Sequence, residues 1–299
     1  MEISEYKNCN LCQRKCGVNR YERTGFCRMP ADAFVTRAAL HKWEEPPISG
    51  VRGSGTIFFS GCSLCCVFCQ NREISRGQVG ERVTAERLAD IMISLQDQGA
   101  HNINFVTPTH YSPTVRLATE KAREKGLTIP IVYNTGSFDA VEAIRSLDGT
   151  VNIYLPDLKY YKNSTSARYS SAESYVESAR AAIDEMYHQV GAPVFDNNGL
   201  LTSGVIVRIL LLPGHLAEAK LSLKYLIETY GDKIYVSLMN QYTPMPGMSP
   251  PLNRKVTHAE YEELLAYAEK IGLKNGFYQD YGTAEESFIP GFDGTGVTL

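Results

Sequence analysis

Short apolar runs and helix-period stripes alternate along most of this chain. From residue 56 onward, β-branched or aromatic runs at 56–59, 103–106, 129–133, 151–155, 205–212 and 234–239 predict six strands. Most are continuous apolar runs, the pattern of parallel strands covered on both faces. Between them the apolar spacing shifts to the helical period: Leu88, Ile91, Met92 and Leu95 form one stripe, and Leu223, Leu226, Ile227 and Tyr230 another. Ser112 before Pro113 marks one helix start and Thr257 with Glu260 a capping box at a later one. Gly99, Gly126, Gly149, Gly191, Gly231 and Gly272 each stand where a helix should stop. Six successive βα units predict an α/β fold, a partial TIM-type (β/α)6 barrel, with a doubly wound open sheet as the alternative. In both, the loops after the strands' carboxyl ends carry the chemistry.

Residues 1–50 lack this alternation and read as a small cysteine-rich metal-binding module, leaving 51–299 for the barrel. Pro46-Pro47 with Gly50, Gly53 and Gly55 mark the join. In a chain of 299 residues, 43% hydrophobic content is enough for a sizeable core. A net charge of -3 provides no basic field for a phosphate backbone, so nucleic acid is not an expected partner. The longest apolar stretch, 205–212, is short and broken by Arg208, and the first ten residues have no basic region followed by an apolar run. No membrane association is expected, and the expected location is cytoplasmic.

All eight cysteines fall in the first 69 residues, in two tight groups, which in a reducing compartment points to metal ligation rather than disulfides. The second group follows the first barrel strand directly: Cys62, Cys66 and Cys69 have C-x3-C-x2-C spacing. Three thiolates on one loop can hold three irons of a cubane, leaving the fourth iron open to a substrate or cofactor. Cys65 beside Cys66 cannot easily reach another corner of the same cube, and reads as a small buried filler. A structural zinc loop would need a fourth ligand.

This spacing, with aromatic Phe68 before the last cysteine, resembles the radical S-adenosylmethionine (SAM) superfamily. Cys69-Gln70-Asn71-Arg72 is similar to the Cys-His-Asn-Arg of glycyl-radical-enzyme activases such as pyruvate formate-lyase activating enzyme, and the chain resembles most their PflX-like homologues. The resemblance implies a 4Fe-4S cluster on Cys62, Cys66 and Cys69, S-adenosyl-L-methionine as second cofactor, and a radical reaction. Where activases have Gly-Gly-Glu-Pro for the SAM amino group, this chain has Thr107-Pro108-Thr109-His110, so Thr107, Thr109 or backbone would take that contact. His110 is either a site residue or a solvated loop histidine. Asn134 stands where activases have an aspartate, and Asp157-Leu158-Lys159 matches their Asp-Leu-Lys. By the resemblance Lys159 pairs with the SAM carboxylate, Asp157 and Asn134 lie beside the methionine moiety, and Arg208 reaches the carboxylate or ribose. A capping aspartate and a surface lysine is the plainer reading of Asp157 and Lys159.

Cys9, Cys12, Cys16 and Cys27 have C-x2-C-x3-C-x10-C spacing, four soft ligands that suit either a closed zinc site or a second, fully ligated iron–sulfur cluster. A structural role is the default and electron relay the sharper alternative. The loop 240–244 and the tail 288–298 are candidates to line or cover the barrel mouth. The expected function is reductive cleavage of SAM and hydrogen abstraction from a substrate, by resemblance a glycine of a glycyl radical enzyme, with flavodoxin or ferredoxin as reductant. A different peptide or small-molecule substrate is the main alternative, and an iron–sulfur electron carrier the non-enzyme one. No side-chain acid, base or nucleophile is assigned.

Overall fold

The computed structural model describes residues 2–279 and 290–298. In chain order it forms β1 (Ala33–His41), α1 (Pro46–Ser49), β2 (Ser54–Phe59), α2 (Arg72–Ser75), β3 (Glu81–Val83), α3 (Ala85–Asp97), β4 (Ile103–Val106), α4 (Ser112–Glu124), β5 (Ile131–Thr135) and α5 (Val141–Arg145). There follow β6 (Ile153–Pro156), α6 (Asn163–Ser170), α7 (Tyr175–Val190), β7 (Val194–Phe195), β8 (Leu201–Leu210), α8 (Leu216–Tyr230), β9 (Tyr235–Met239), α9 (His258–Lys270) and β10 (Gly276–Tyr278).

The strands lie in the order β10-β9-β8-β6-β5-β4-β2-β1-β3, with β7 on β8, and the run from β2 to β10 is parallel throughout. This is a mixed α/β fold with an open parallel sheet, a partial barrel. Every residue of β2, β4, β5 and β6 is buried, as expected of strands covered on both faces. The predicted stripe Leu88, Ile91, Met92 and Leu95 is the buried face of α3, and Thr257 and Glu260 make the reciprocal capping bonds at α9. All six helix-stop glycines have positive φ. The six predicted strands are present with ends shifted by a few residues; β1, β3, β7 and β10 are additional.

The first fifty residues are not merely appended. Within them β1 pairs antiparallel with β2 and extends the sheet. Upstream, Gln13 and Ala140 exchange backbone hydrogen bonds with Phe138 and Leu11, which lays the cysteine loop against the turn after β5. Arg20, 2% exposed, donates to the carbonyls of Met29, Pro30 and His110, and its guanidinium covers the Tyr6 ring. A buried guanidinium needs such partners, so it staples this segment to the loop after β4.

Gly61, at the end of β2, has φ +82°, and a Cβ there would collide with Met29 and lie 2.9 Å from the Cys27 carbonyl oxygen. Both the backbone conformation and the close approach require glycine. Gly61→Ala is expected to lower unfolding free energy by at least about 1–2 kcal/mol. Denaturant titration of wild type and variant checks this, and equal midpoints would refute it.

Candidate active site

At the carboxyl ends of the parallel strands lies a cavity of about 240 Å³. The loop after β2 contributes Cys62, Cys66 and Cys69 to its wall, but not Cys65. Cys65 has φ +55°, is only partly buried, and directs its thiol toward the Cys62 carbonyl at 3.7 Å. Three thiols of the four therefore face one space. The sulfurs accept further bonds: Ser170 Oγ donates to Cys66 Sγ at 2.9 Å and the Leu64 N–H to Cys62 Sγ at 3.4 Å. Phe68 is buried between Tyr160, Tyr169 and Tyr242, ring centroids 6.1–6.5 Å away, and anchors the loop from behind while lining the cavity. Burial, then repulsion from Cys66 and Cys69, pushes the Cys62 thiol up to about 12; burial and Cys66 push Cys69 up to about 11. Without a metal these thiols keep their protons, and metal binding must displace them.

The same cavity has a charged floor, formed by Glu44, Asp157, Lys159 and Arg208 with Asn134. Arg208, in β8, donates from Nε to Asp157 Oδ1 at 2.8 Å and from Nη2 to Asn134 Oδ1 at 2.5 Å. Its Nη1 lies 3.4 Å from Glu44 Oε2, and Lys159 Nζ 2.6 Å from Asp157 Oδ2. Asn104 and Asn134 both donate to Glu44 Oε1, at 3.0 and 3.4 Å. Burial alone would raise Asp157, but Arg208 and then Lys159 more than offset it and hold the carboxyl below its ordinary range. Burial raises Glu44, and Arg208 opposes only part of that rise. Burial would lower Lys159, yet Asp157 holds it above the usual lysine range. Asp157 and Lys159 are thus a partly buried pair, not a cap and a surface lysine.

The sequence pattern did not mark Glu44. Its only signal is an acidic pair, Glu44-Glu45, ahead of Pro46-Pro47. Antiparallel pairing brings the end of β1 to the amino end of β2, and from there Glu44 reaches Asn104, Asn134 and Arg208, a placement periodicity cannot show.

Two expected positions are corrected. Thr109 does not reach the cavity: the 3-10 turn Thr109–Tyr111 carries it below, 3% exposed, with its hydroxyl 3.1 Å from Thr135 Oγ1, which in turn donates to buried Asp139 at 2.6 Å. It is tied to the cavity only through Thr135, which lines it. His110 is neither in the cavity nor solvated; its Nε2–H donates to the Ser60 carbonyl at 2.7 Å, and burial lowers its pKa to about 3. By contrast Thr107, Asn134, Asp157, Lys159, Arg208 and Gln241 all line the cavity. Pro290 does too, and Phe292 packs on Phe58, while 288–289 lie outside the described residues.

The four N-terminal thiols are electrostatic neighbours of one another, with Cys9, Cys12 and Cys27 buried and Cys16 exposed. Among the described residues no three His, Cys, Asp or Glu side chains converge on a point where a single metal ion would sit. Ligand sulfurs of a cubane sit on separate irons and stand further apart than sulfurs sharing one ion.

A family model described as the Radical SAM superfamily matches residues 56–219. The uncharacterized protein MJ0674 of Methanocaldococcus jannaschii is 31% identical over 281 residues, covering 90% of this chain and 76% of that protein. The chain belongs to the radical SAM superfamily. Among solved structures, the FeFe-hydrogenase maturase HydG of Carboxydothermus hydrogenoformans shares the fold, with TM-score 0.51 and 13% identity over 79% of this chain and 55% of that one. This chain therefore spans only about half of HydG. A domain of a pyruvate-formate lyase-activating enzyme from Bacteroides vulgatus matches at TM-score 0.41 and 13% identity, over 57% of this chain and 92% of the domain.

Radical SAM enzymes use a 4Fe-4S cluster together with SAM. The cavity fits that pair: three thiols line it, and its floor offers both signs of charge, as the amino-acid end of SAM requires. Among the described residues no helix is long and apolar enough to cross a membrane.

Replacing Arg208 with leucine leaves Asp157 and Glu44 buried without their guanidinium, and the expected cost is about 3–5 kcal/mol. Adding Asp157→Asn to that variant should restore part of the loss. Chemical unfolding of the three proteins checks both, and a purely additive double variant would show that the pair is not coupled.

Proposed function

We propose that this chain reductively cleaves SAM on a 4Fe-4S cluster held by Cys62, Cys66 and Cys69, and abstracts hydrogen from a substrate. The observation that carries the reading is that three thiols, with Cys65 turned aside, share one cavity with the Arg208–Asp157–Lys159 floor. When bound, the cluster supplies the electron that breaks a carbon–sulfur bond of SAM to give a 5′-deoxyadenosyl radical. The chain's own residues bind and orient. Lys159 is the cation for the SAM carboxylate, Arg208 fixes Asp157 and Asn134 beside the methionine part, and Thr107 offers its hydroxyl and backbone to the amino group. Phe68 and its aromatic surroundings keep water from the loop.

An activase role, abstraction from a glycine Cα of a glycyl radical enzyme with flavodoxin or ferredoxin as reductant, is supported by the match of Asp157-Leu158-Lys159 and Asn71-Arg72 to the activase pattern. A different peptide or small molecule is the alternative. Anaerobically reconstituted wild type, given reductant and SAM, is expected to form 5′-deoxyadenosine, and Cys66→Ala to lose it. Wild type that retains its cluster spectrum yet forms none would sink the reading. A glycyl radical signal on an added glycyl radical enzyme would select the activase branch.

For Cys9, Cys12, Cys16 and Cys27 we propose a second, fully ligated iron–sulfur cluster, supported by four thiols that neighbour one another. Reconstituted protein should then carry about 8 irons per chain, and a Cys12→Ser, Cys27→Ser variant about 4. Iron near 4 in wild type, with or without zinc, refutes the second cluster.

A further inference from the structure

Cys66 differs from Cys62 in what its sulfur accepts. Ser170 Oγ donates to Cys66 Sγ at 2.9 Å, whereas Cys62 Sγ accepts a backbone N–H at the longer distance of 3.4 Å. The serine is itself bonded, with Tyr160 Oη 2.5 Å from its Oγ. Ser170 is 1% exposed and Tyr160 2%, so both bonds are made away from bulk water, where they count for more.

The direction of the protons follows from valence. Ser170 has one O–H, and a thiolate that ligates metal has no proton to give. A thiolate at Cys66 therefore takes the serine proton, and the serine oxygen in turn accepts the proton of Tyr160. Helical serines commonly return the hydroxyl to a carbonyl of their own helix, as Ser166 of α6 does to Asn163 at 3.0 Å. Ser170, the last residue of α6, instead meets Tyr160 and Cys66. Two ties hold it there: the Val67 N–H donates to the Tyr169 carbonyl at 2.8 Å, and Arg14 bridges the carbonyls of Ser63 and Ser170 at 2.9 and 3.0 Å. Tyr160 is fixed by edge contacts with Phe68 and Tyr175, centroids 6.4 and 5.2 Å away. Donors held in this way need no reorganisation when charge arrives at the sulfur.

We propose that Ser170 and Tyr160 are positioning residues that set the reduction potential of the cluster on Cys62, Cys66 and Cys69. The inference rests on the cluster assignment of the proposed SAM reaction. One electron passes from an external one-electron donor to the iron–sulfur centre; no bond forms or breaks, and both hydroxyls keep their protons. Reduction adds negative charge that the ligand sulfurs share, so the hydroxyl of Ser170 binds Cys66 more strongly after reduction than before. The pair raises the potential and eases reduction in a site that otherwise buries the added charge.

The test is an anaerobic redox titration of the reconstituted full chain, followed by electron paramagnetic resonance. The signal that changes when SAM is added marks the centre with the open iron and separates it from any second cluster. Ser170→Ala should lower the equilibrium constant for reduction about ten-fold, or about 59 mV for one electron. Tyr160→Phe keeps the serine donor but removes the bond that polarises it, and should lower the constant by roughly two- to three-fold. Ser170→Thr restores a hydroxyl and should return the constant to within about two-fold of wild type. A packing role alone would change iron content or melting temperature and leave the potential where it was. Ser170→Ala with a full cluster at the wild-type potential overturns the proposal, as does Ser170→Thr no closer to wild type than alanine. If Ser170→Ala takes up no iron, Tyr160→Phe decides: a lowered potential supports the proposal and an unchanged one overturns it. Wild type without a SAM-responsive signal removes the cluster reading and this inference with it, whereas a SAM-responsive centre whose potential ignores both residues removes this inference alone.

Discussion

Arg208 sits inside a buried strand, where an unpaired guanidinium would cost several kcal/mol. Its partners come from the end of β5, the loop after β6 and the segment after β1, so one residue fixes how these separate loops stand to each other. The constraint runs both ways. Asp157 stays ionised because Arg208 and Lys159 flank it, and Lys159 is held near Asp157 rather than released to solvent. Glu44 is the weakest link: its contact with Arg208 is 3.4 Å, and two asparagine amides provide most of its hydrogen bonding. An uncharged Asn134 fits this balance, since a carboxylate at that position would add repulsion to a floor that already holds Glu44 and Asp157.

The same logic explains why the N-terminal segment belongs to the site. Arg14 donates to the carbonyl of Ser63, inside the loop after β2, and to those of Ser170 and Ser171 at the end of α6, while its guanidinium stacks on Phe26 at 3.7 Å. Ser170 in turn donates to Cys66. With Cys27 and Met29 pressed against Gly61, the two cysteine loops share a rigid contact and a hydrogen-bonded bridge. The packing of the first loop is therefore felt at the second.

Elements held by local patterns were legible in the sequence. Continuous apolar strands, helical stripes and glycine stops gave six βα units, because those signals depend on each residue's own neighbours along the chain. That Cys62, Cys66 and Cys69 share one loop and one cavity was legible because their spacing keeps them within eight residues. Long-range placements were not. β1 and β10 lie towards the sheet's margins, where the apolar pattern is weak, and Glu44 acquires its role only through the pairing of β1 with β2. Thr109 was misplaced for a related reason: two residues beyond a strand, a 3-10 turn decides which side chain faces the cavity, and Thr107 and Thr109 look equivalent until that turn is seen.

Thr107 itself shows how the loop meets its task. Its φ of +58° is rare for a β-branched residue and costs about 1–2 kcal/mol relative to a glycine-like position. The conformation persists because its N–H donates to the Asn134 carbonyl at 2.9 Å, continuing the parallel register of β4 and β5 one step beyond the strands. That bond ties Thr107 to Asn134, the residue Arg208 grips, so strain just after β4 is offset by hydrogen bonding to β5. A glycine would relieve the strain but remove the hydroxyl from the cavity wall, and the chain at this point keeps the side chain.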